Sequence, residues 1–113
     1  MEDKISWGDF EKVDLRVGTV LRVEDFPKAR NPSYQLEIDF GNVIGILKSS
    51  AQITVHYSKE ELIGRQIVAV VNFPKKQIAN FMSECLVTGF EDENGDIILT
   101  TVGQKVPNGS KLK

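Results

Sequence analysis

The chain has 113 residues, 41% hydrophobic and 27% charged, the proportions of one folded domain with a single core and not of a disordered segment. Nowhere do about 18 apolar residues run together, which excludes a membrane-spanning helix, and the start MEDKISWGDF lacks the basic patch and apolar run of a signal peptide. Without a span, a signal peptide or a pair of cysteines to oxidise, the chain is expected to be cytoplasmic, with no membrane insertion, and a net charge of −2 excludes a globally basic nucleic-acid binder.

Ser6-Trp7-Gly8-Asp9 has the Ser-x-x-Asp form of a capping box and predicts a short helix over Trp7–Lys12, with Trp7 and Phe10 on one face. Leu15, Val17, Thr19, Leu21 and Val23 alternate with Arg16, Gly18, Val20 and Arg22, the pattern of a long first strand in which Gly18 suits a bend or bulge. The two prolines of Phe26–Pro32 deny that stretch a ladder and make it a loop. Tyr34, Leu36, Ile38 and Phe40 alternate with Gln35, Glu37 and Asp39, and Gly41-Asn42 predicts a tight turn into a third strand, Val43–Lys48. Ser58-Lys59-Glu60-Glu61 is a second capping box, opening a helix over about Lys59–Ile63 that Gly64 ends. Ile67–Val71 reads as a strand buried on both faces, and Glu84–Phe90 and Ile97–Val102 as strands of a hairpin around Asn94-Gly95. Pro107-Asn108-Gly109 marks a last turn. Three strands, a helix and two or three more strands is the order of an all-β OB fold, a five-stranded Greek-key barrel with a short helix between strands three and four. The whole of residues 1–113 is then one domain.

Nothing here looks catalytic. His56 is the only histidine, and Cys85 is the only cysteine and lies in an apolar strand, so no disulfide forms and a zinc site lacks the thiols and imidazoles it needs. No Gly-rich phosphate loop is present, and neither a cofactor nor a metal is expected. Binding features are stronger. Residues 26–83 hold seven bases against four acids, a net +3 on an otherwise acidic chain. The connection 72–83 carries Asn72, Phe73, Lys75, Lys76, Gln77, Ile78, Asn80, Phe81, Met82 and Ser83, more cations, amides and large apolar groups than a plain linker needs. Lys48, Ser49 and Ser50 end the third strand, on the face an OB fold uses for ligands, although the two serines equally suit a turn. Lys28 and Arg30 add charge from the Pro-rich loop.

Both ends carry apolar residues that a five-stranded barrel does not need: Ile5, Trp7 and Phe10 before it, and Val102, Val106, Pro107 and Leu112 after it. Residues 1–13 and 102–113 are therefore expected to be dimerising extensions of a homodimer, the alternative being packing on the barrel of the same chain.

Several blocks resemble one known family. Asp14-Leu15-Arg16-Val17-Gly18, Ile38-Asp39-Phe40-Gly41, Ser49-Ser50-Ala51-Gln52-Ile53-Thr54, Val70-Val71-Asn72-Phe73-Pro74, Phe81-Met82-Ser83-Glu84 and Val106-Pro107-Asn108-Gly109 are similar, in order, to the CsaA family of bacterial chaperones, part of the wider tRNA-binding domain family. The resemblance implies an OB-fold homodimer joined through its terminal extensions. It implies a protein that binds unfolded or precursor polypeptides without ATP and assists export, with the protein-export machinery as a further partner. The tRNA-binding relatives imply the alternative, a structure-selective tRNA binder using the same groove. Aligned on their pattern, Asn72 and Ser83 are retained, but Gln77 and Ala79 stand where those relatives carry cations, and Leu86 stands where they carry a later methionine. Each lost phosphate contact weakens binding and flattens its salt dependence.

Overall fold

The computed structural model describes residues 2–113. Helix α1 spans Trp7–Glu11, with the Ser6 hydroxyl accepting from the Asp9 N–H and the Asp9 carboxylate accepting from the Ser6 N–H, so both halves of the expected capping box form. Strand β1 is Leu15–Asp25, β2 is Tyr34–Asp39, β3 is Ile46–Ala51 and β4 is Gln66–Val70. The second capping box, Ser58 with Glu61, opens helix α3, Lys59–Leu62, which buries Leu62. Five antiparallel strands run in the order β3-β2-β1-β4-β7, where β7 is Leu86–Val87, and curl into a nearly closed barrel. Two small hairpins complete the chain: β5 (Lys76–Ile78) with β6 (Phe81–Ser83), and β8 (Gly89–Glu91) with β9 (Ile97–Leu99).

The alternation in β2 does what its period demands: Tyr34, Leu36 and Ile38 are buried, and Gln35, Glu37 and Asp39 are not. They meet Val20, Phe40, Ile53, Leu62, Ile67 and Ala69 in one core. Tyr34 and Tyr57 also lie there, their hydroxyls occupied: Tyr34 donates to the Tyr57 carbonyl at 2.8 Å and the Leu99 N–H donates to Tyr57 Oη at 2.9 Å.

Four local expectations change. The β1 bulge falls at Leu21, where register shifts between Val20 and Arg22, and not at Gly18. Gly18 is needed for space, because a Cβ there would sit 2.6 Å from Ile38 and 2.8 Å from Phe40. The β2–β3 connection is not a two-residue turn but a short helical turn, α2 (Gly41–Ile44), flanked by positive φ at Gly41 and Gly45. Gly45 N–H closes it onto the Gly41 carbonyl and the Phe40 N–H returns to Gly45. The stretch Glu84–Phe90 is not one strand: β7 pairs with β4 and β8 with β9, and Thr88, whose N–H and hydroxyl both reach the Val68 carbonyl, is the corner between them. The connection 72–83 is not a loop throughout, since its middle folds into the β5–β6 hairpin with Ala79 at φ 51° in its turn.

The C-terminal extension lies along the start of β1. Val17 N–H donates to Ser110, Gly109 N–H to Val17 and Leu112 N–H to Leu15. Asn108 accepts from Thr19 and Gln66 side chains, tying the tail to β1 and β4 at once.

Replacing Gly18 with alanine should destabilise the fold by about 1–3 kcal/mol, the usual cost of forcing an atom into a packed core. Urea unfolding checks this, and an unchanged midpoint would mean that Ile38 and Phe40 move aside freely.

Candidate ligand-binding groove

Barrel closure places the candidate residues. Leu36 in the core pairs across the ladder with Ser49, and Gln35 with Ser50. Cross-strand partners share a face and neighbours alternate, so Ser49 points inward and Ser50 outward. Ser49 has no exposed surface, and its hydroxyl donates to the Cys85 carbonyl at 3.1 Å. Ser83 is also buried, accepting from Ser50 N–H and donating to Cys85. Both serines were expected in the groove; Ser49 stands behind it, and Ser83 reaches it only as part of its floor.

Beyond β3, the β5–β6 hairpin forms a flap. Phe81 is half-buried, its ring 5.5 Å from that of buried Phe26, and so holds the flap to the core. Phe73 is 53% exposed and turns outward. A cavity of about 370 Å³ lies under the flap, walled by Phe73, Pro74, Lys76, Ile78 and Leu86, with Ser50, Ser83 and Cys85. Ser50, Ile78 and Leu86 also wall a second cavity of about 670 Å³, which continues past Arg30 and Asn31 to Thr88, Gly89, Glu91 and Asp96. These two share side chains and make one groove. A smaller recess of about 200 Å³ holds Lys48 and Phe81 with Arg22 and Glu37.

The structure therefore brings together Arg30, Ser50, Phe73, Lys76, Ile78 and Ser83, and places Lys48 and Phe81 in the adjoining recess. Lys28, Asn80 and Met82 are exposed but line none of these cavities. Gln77 spends its amide on the Ala79 carbonyl at 2.8 Å. Asn72 is a brace: its oxygen accepts from Asp14 N–H and its nitrogen donates to the Lys12 carbonyl, so its amide serves the N-terminal segment. Leu86, half-exposed and common to both cavities, was not singled out as a groove residue; its signal was alternation beside buried Cys85.

Charge is arranged unevenly. Lys75 is paired with Glu84 at 3.2 Å, and the other carboxylate oxygen of Glu84 accepts from the Lys48 N–H at 2.9 Å. Partial burial would raise the Glu84 carboxyl, but the Lys48 N–H and the Lys75 ammonium outweigh it and hold the group below its ordinary value. Burial pushes the Cys85 thiol up to about 12, so it is an unreactive part of the wall. Arg30 and Lys76 form no ion pair among the described residues.

A second apolar surface gathers at the termini. Ile5, Trp7 and Leu112 are 69%, 67% and 49% exposed, and the Trp7 and Phe10 rings pack at a tilt of 49° with centroids 5.4 Å apart. Beside them a recess of about 610 Å³ is walled by Leu15, Val17, Phe90, Val102, Val106 and Leu112. Pro107 is exposed but outside that lining.

Comparison with known proteins extends this geometry. The tRNA binding domain family model matches residues 15–111. The chaperone CsaA of Bacillus anthracis has the same fold with a TM-score of 0.91 and 50% identity, over 98% of this chain and 100% of that one. The CsaA chaperone protein of Picrophilus torridus gives 0.90 and 50%, over 97% and 100%. Methionine–tRNA ligase of Bacteroides fragilis is 34% identical over 109 residues, 96% of this chain but 16% of the ligase, so the chain spans about a sixth of the length of such curated relatives.

Because the Glu84 carboxyl lies below its ordinary value of 4.5, its contribution to stability is present above that value and is lost as pH falls through the folded one. Glu84→Gln keeps an acceptor for the Lys48 N–H and loses the ion pair, so stability near neutral pH should fall by no more than about 1 kcal/mol. Its loss of stability below about pH 4.5 should be shallower than that of the unsubstituted chain, as followed by denaturation at stepped pH.

Proposed function

This chain belongs to the tRNA-binding domain family, and from that premise we propose that it is an ATP-independent chaperone that holds unfolded or precursor polypeptides in its groove and assists their export. The observation that carries the reading is the character of that groove. Its flap side is built from Phe73, Pro74, Ile78 and Leu86, with Lys76 as its one cation. Such a surface takes apolar side chains of an extended segment, while Lys76 and Arg30 favour some segments without reading a sequence. The likeness to two CsaA chaperones at 50% identity over the full length of each supports it. Catalysis has no place in this reading, because the ligase relatives match over only 16% of their length. We place the protein in the cytoplasm, with the export machinery as the partner that receives its clients. Among the described residues no helix is long and apolar enough to cross a membrane.

The family match itself favours a second reading, tRNA as ligand of the same groove. Arg30, Lys48 and Lys76 would then meet phosphates, and exposed Phe73 would stack a base. Against it stand Gln77 and Ala79, uncharged on the flap, and Lys75, already neutralised by Glu84.

Two variants separate the readings. Phe73→Ser should reduce suppression of client aggregation several-fold, while Arg30→Glu with Lys76→Glu leaves most of it. Salt-dependent anisotropy with bulk tRNA gives the converse test: binding with a steep log–log slope, abolished by the double charge reversal, would put tRNA first.

The terminal surface supports a symmetric homodimer, with Ile5, Trp7, Phe10, Val106, Pro107 and Leu112 of two copies covering one another. An exposed tryptophan beside an apolar recess is the composition of an interface centre. Sedimentation at micromolar concentration should give twice the chain mass, and Trp7→Ala with Leu112→Glu should give the single mass; a monomer in both cases removes the dimer.

A further inference from the structure

Away from the flap, three side chains converge that the groove does not explain. His56 lies in the turn before α3, while Asp92 and Asp96 lie in the β8–β9 hairpin. His56 Nε2 is 2.6 Å from Asp92 Oδ2, and one ligating atom from each of His56, Asp92 and Asp96 lies within 4.8 Å of the other two. We propose that His56, Asp92 and Asp96 form a binding site for a divalent transition-metal ion of the zinc class, with water filling the remaining positions.

The argument begins with the donors. An imidazole nitrogen with two carboxylate oxygens is a mixed N/O set, which suits zinc, cobalt or nickel better than the all-oxygen preference of calcium or magnesium. The expectation of no zinc site counted only thiols and imidazoles; the fold supplies the missing donors as carboxylates. Tetrahedral ligands at about 2.1 Å from a metal lie roughly 3.4 Å apart. The His56–Asp92 contact has to open slightly and the widest separation to close by up to about 1.4 Å, both within side-chain rotation.

Backbone on both sides is held independently of any ion. Asp92 Oδ1 accepts from the N–H groups of Asn94 and Asp96, each at 2.9 Å, which leaves Oδ2 aimed at His56. The Asp92 N–H closes the hairpin on the Asp96 carbonyl at 2.8 Å. His56 is followed by buried Tyr57, which is fixed at both its carbonyl and its hydroxyl. Among the described residues no lysine or arginine forms an ion pair with Asp92 or Asp96, so two half-buried carboxylates face a single imidazole with no permanent cation. Elsewhere the fold does supply such cations, as Lys75 for Glu84 and Lys59 for Asp25. An ion here would staple the β8–β9 hairpin to the turn before α3. Because Asp96 also walls the 670 Å³ part of the groove, it would add positive charge to that wall.

The test is calorimetric titration of Zn²⁺ into tag-free full-length chain, with melting temperature as a second readout. One Zn²⁺ per chain and a raised melting temperature are expected. His56→Ala and Asp96→Asn should each weaken binding tenfold or more and abolish the rise, with Ca²⁺ and Mg²⁺ failing to compete. Absence of saturable 1:1 binding, unchanged affinity in both variants, or equal competition by Ca²⁺ would overturn the proposal. If His56→Ala fails to fold, the imidazole resonances of the unsubstituted protein decide. They should shift on adding one equivalent of Zn²⁺, and unshifted resonances reject the site.

Discussion

Between β3 and the chain returning toward β7, the barrel is closed by side chains as much as by backbone. The Lys48 N–H is taken by the Glu84 carboxylate, the Ser50 N–H by the Ser83 hydroxyl, and the Ser49 hydroxyl by the Cys85 carbonyl; the one backbone bond is Glu84 N–H to the Lys48 carbonyl at 2.7 Å. An open strand edge attracts other chains, and buried polar groups left unpaired are costly. Satisfying β3 in this way removes both problems without a long partner strand. The residues that a longer strand would have used are free to rise from the barrel as the β5–β6 flap. The groove exists because that flap stands over β3, anchored by Phe81 on Phe26 and by Lys75 on Glu84.

The same economy governs charge. Residues 26–83 carry more bases than acids, but Lys75 and Lys59 are held by Glu84 and Asp25. Arg65 lies over the Tyr57 ring, 5.2 Å from its centroid. What remains for a ligand is a few separated cations around an apolar floor, a surface suited to hydrophobic segments more than to a run of phosphates. Thr88 and Gly89 line both the groove and the terminal recess, because the chain turns its corner there to leave β4 for the β8–β9 hairpin. The two surfaces thus share one short stretch of backbone.

Much of the framework follows from short-range chemistry. Alternation in Tyr34–Phe40, the capping boxes at Ser6 and Ser58 and the left-handed glycine at position 64 each express a preference satisfied within a few residues, and each forms where the spacing predicts it. The groove residues divide differently. Phe73, Lys76 and Ile78 sit in a segment whose composition alone marks it as a surface. Whether Ser49 or Ser50 faces a ligand depends on one residue of register, set by Leu36 on another strand. The seating of the flap by Phe81 on Phe26, the Asn72 brace and the convergence of His56 with Asp92 join positions 36 to 60 residues apart. No local pattern encodes such contacts, because they cost chain entropy that is recovered only when the whole barrel closes.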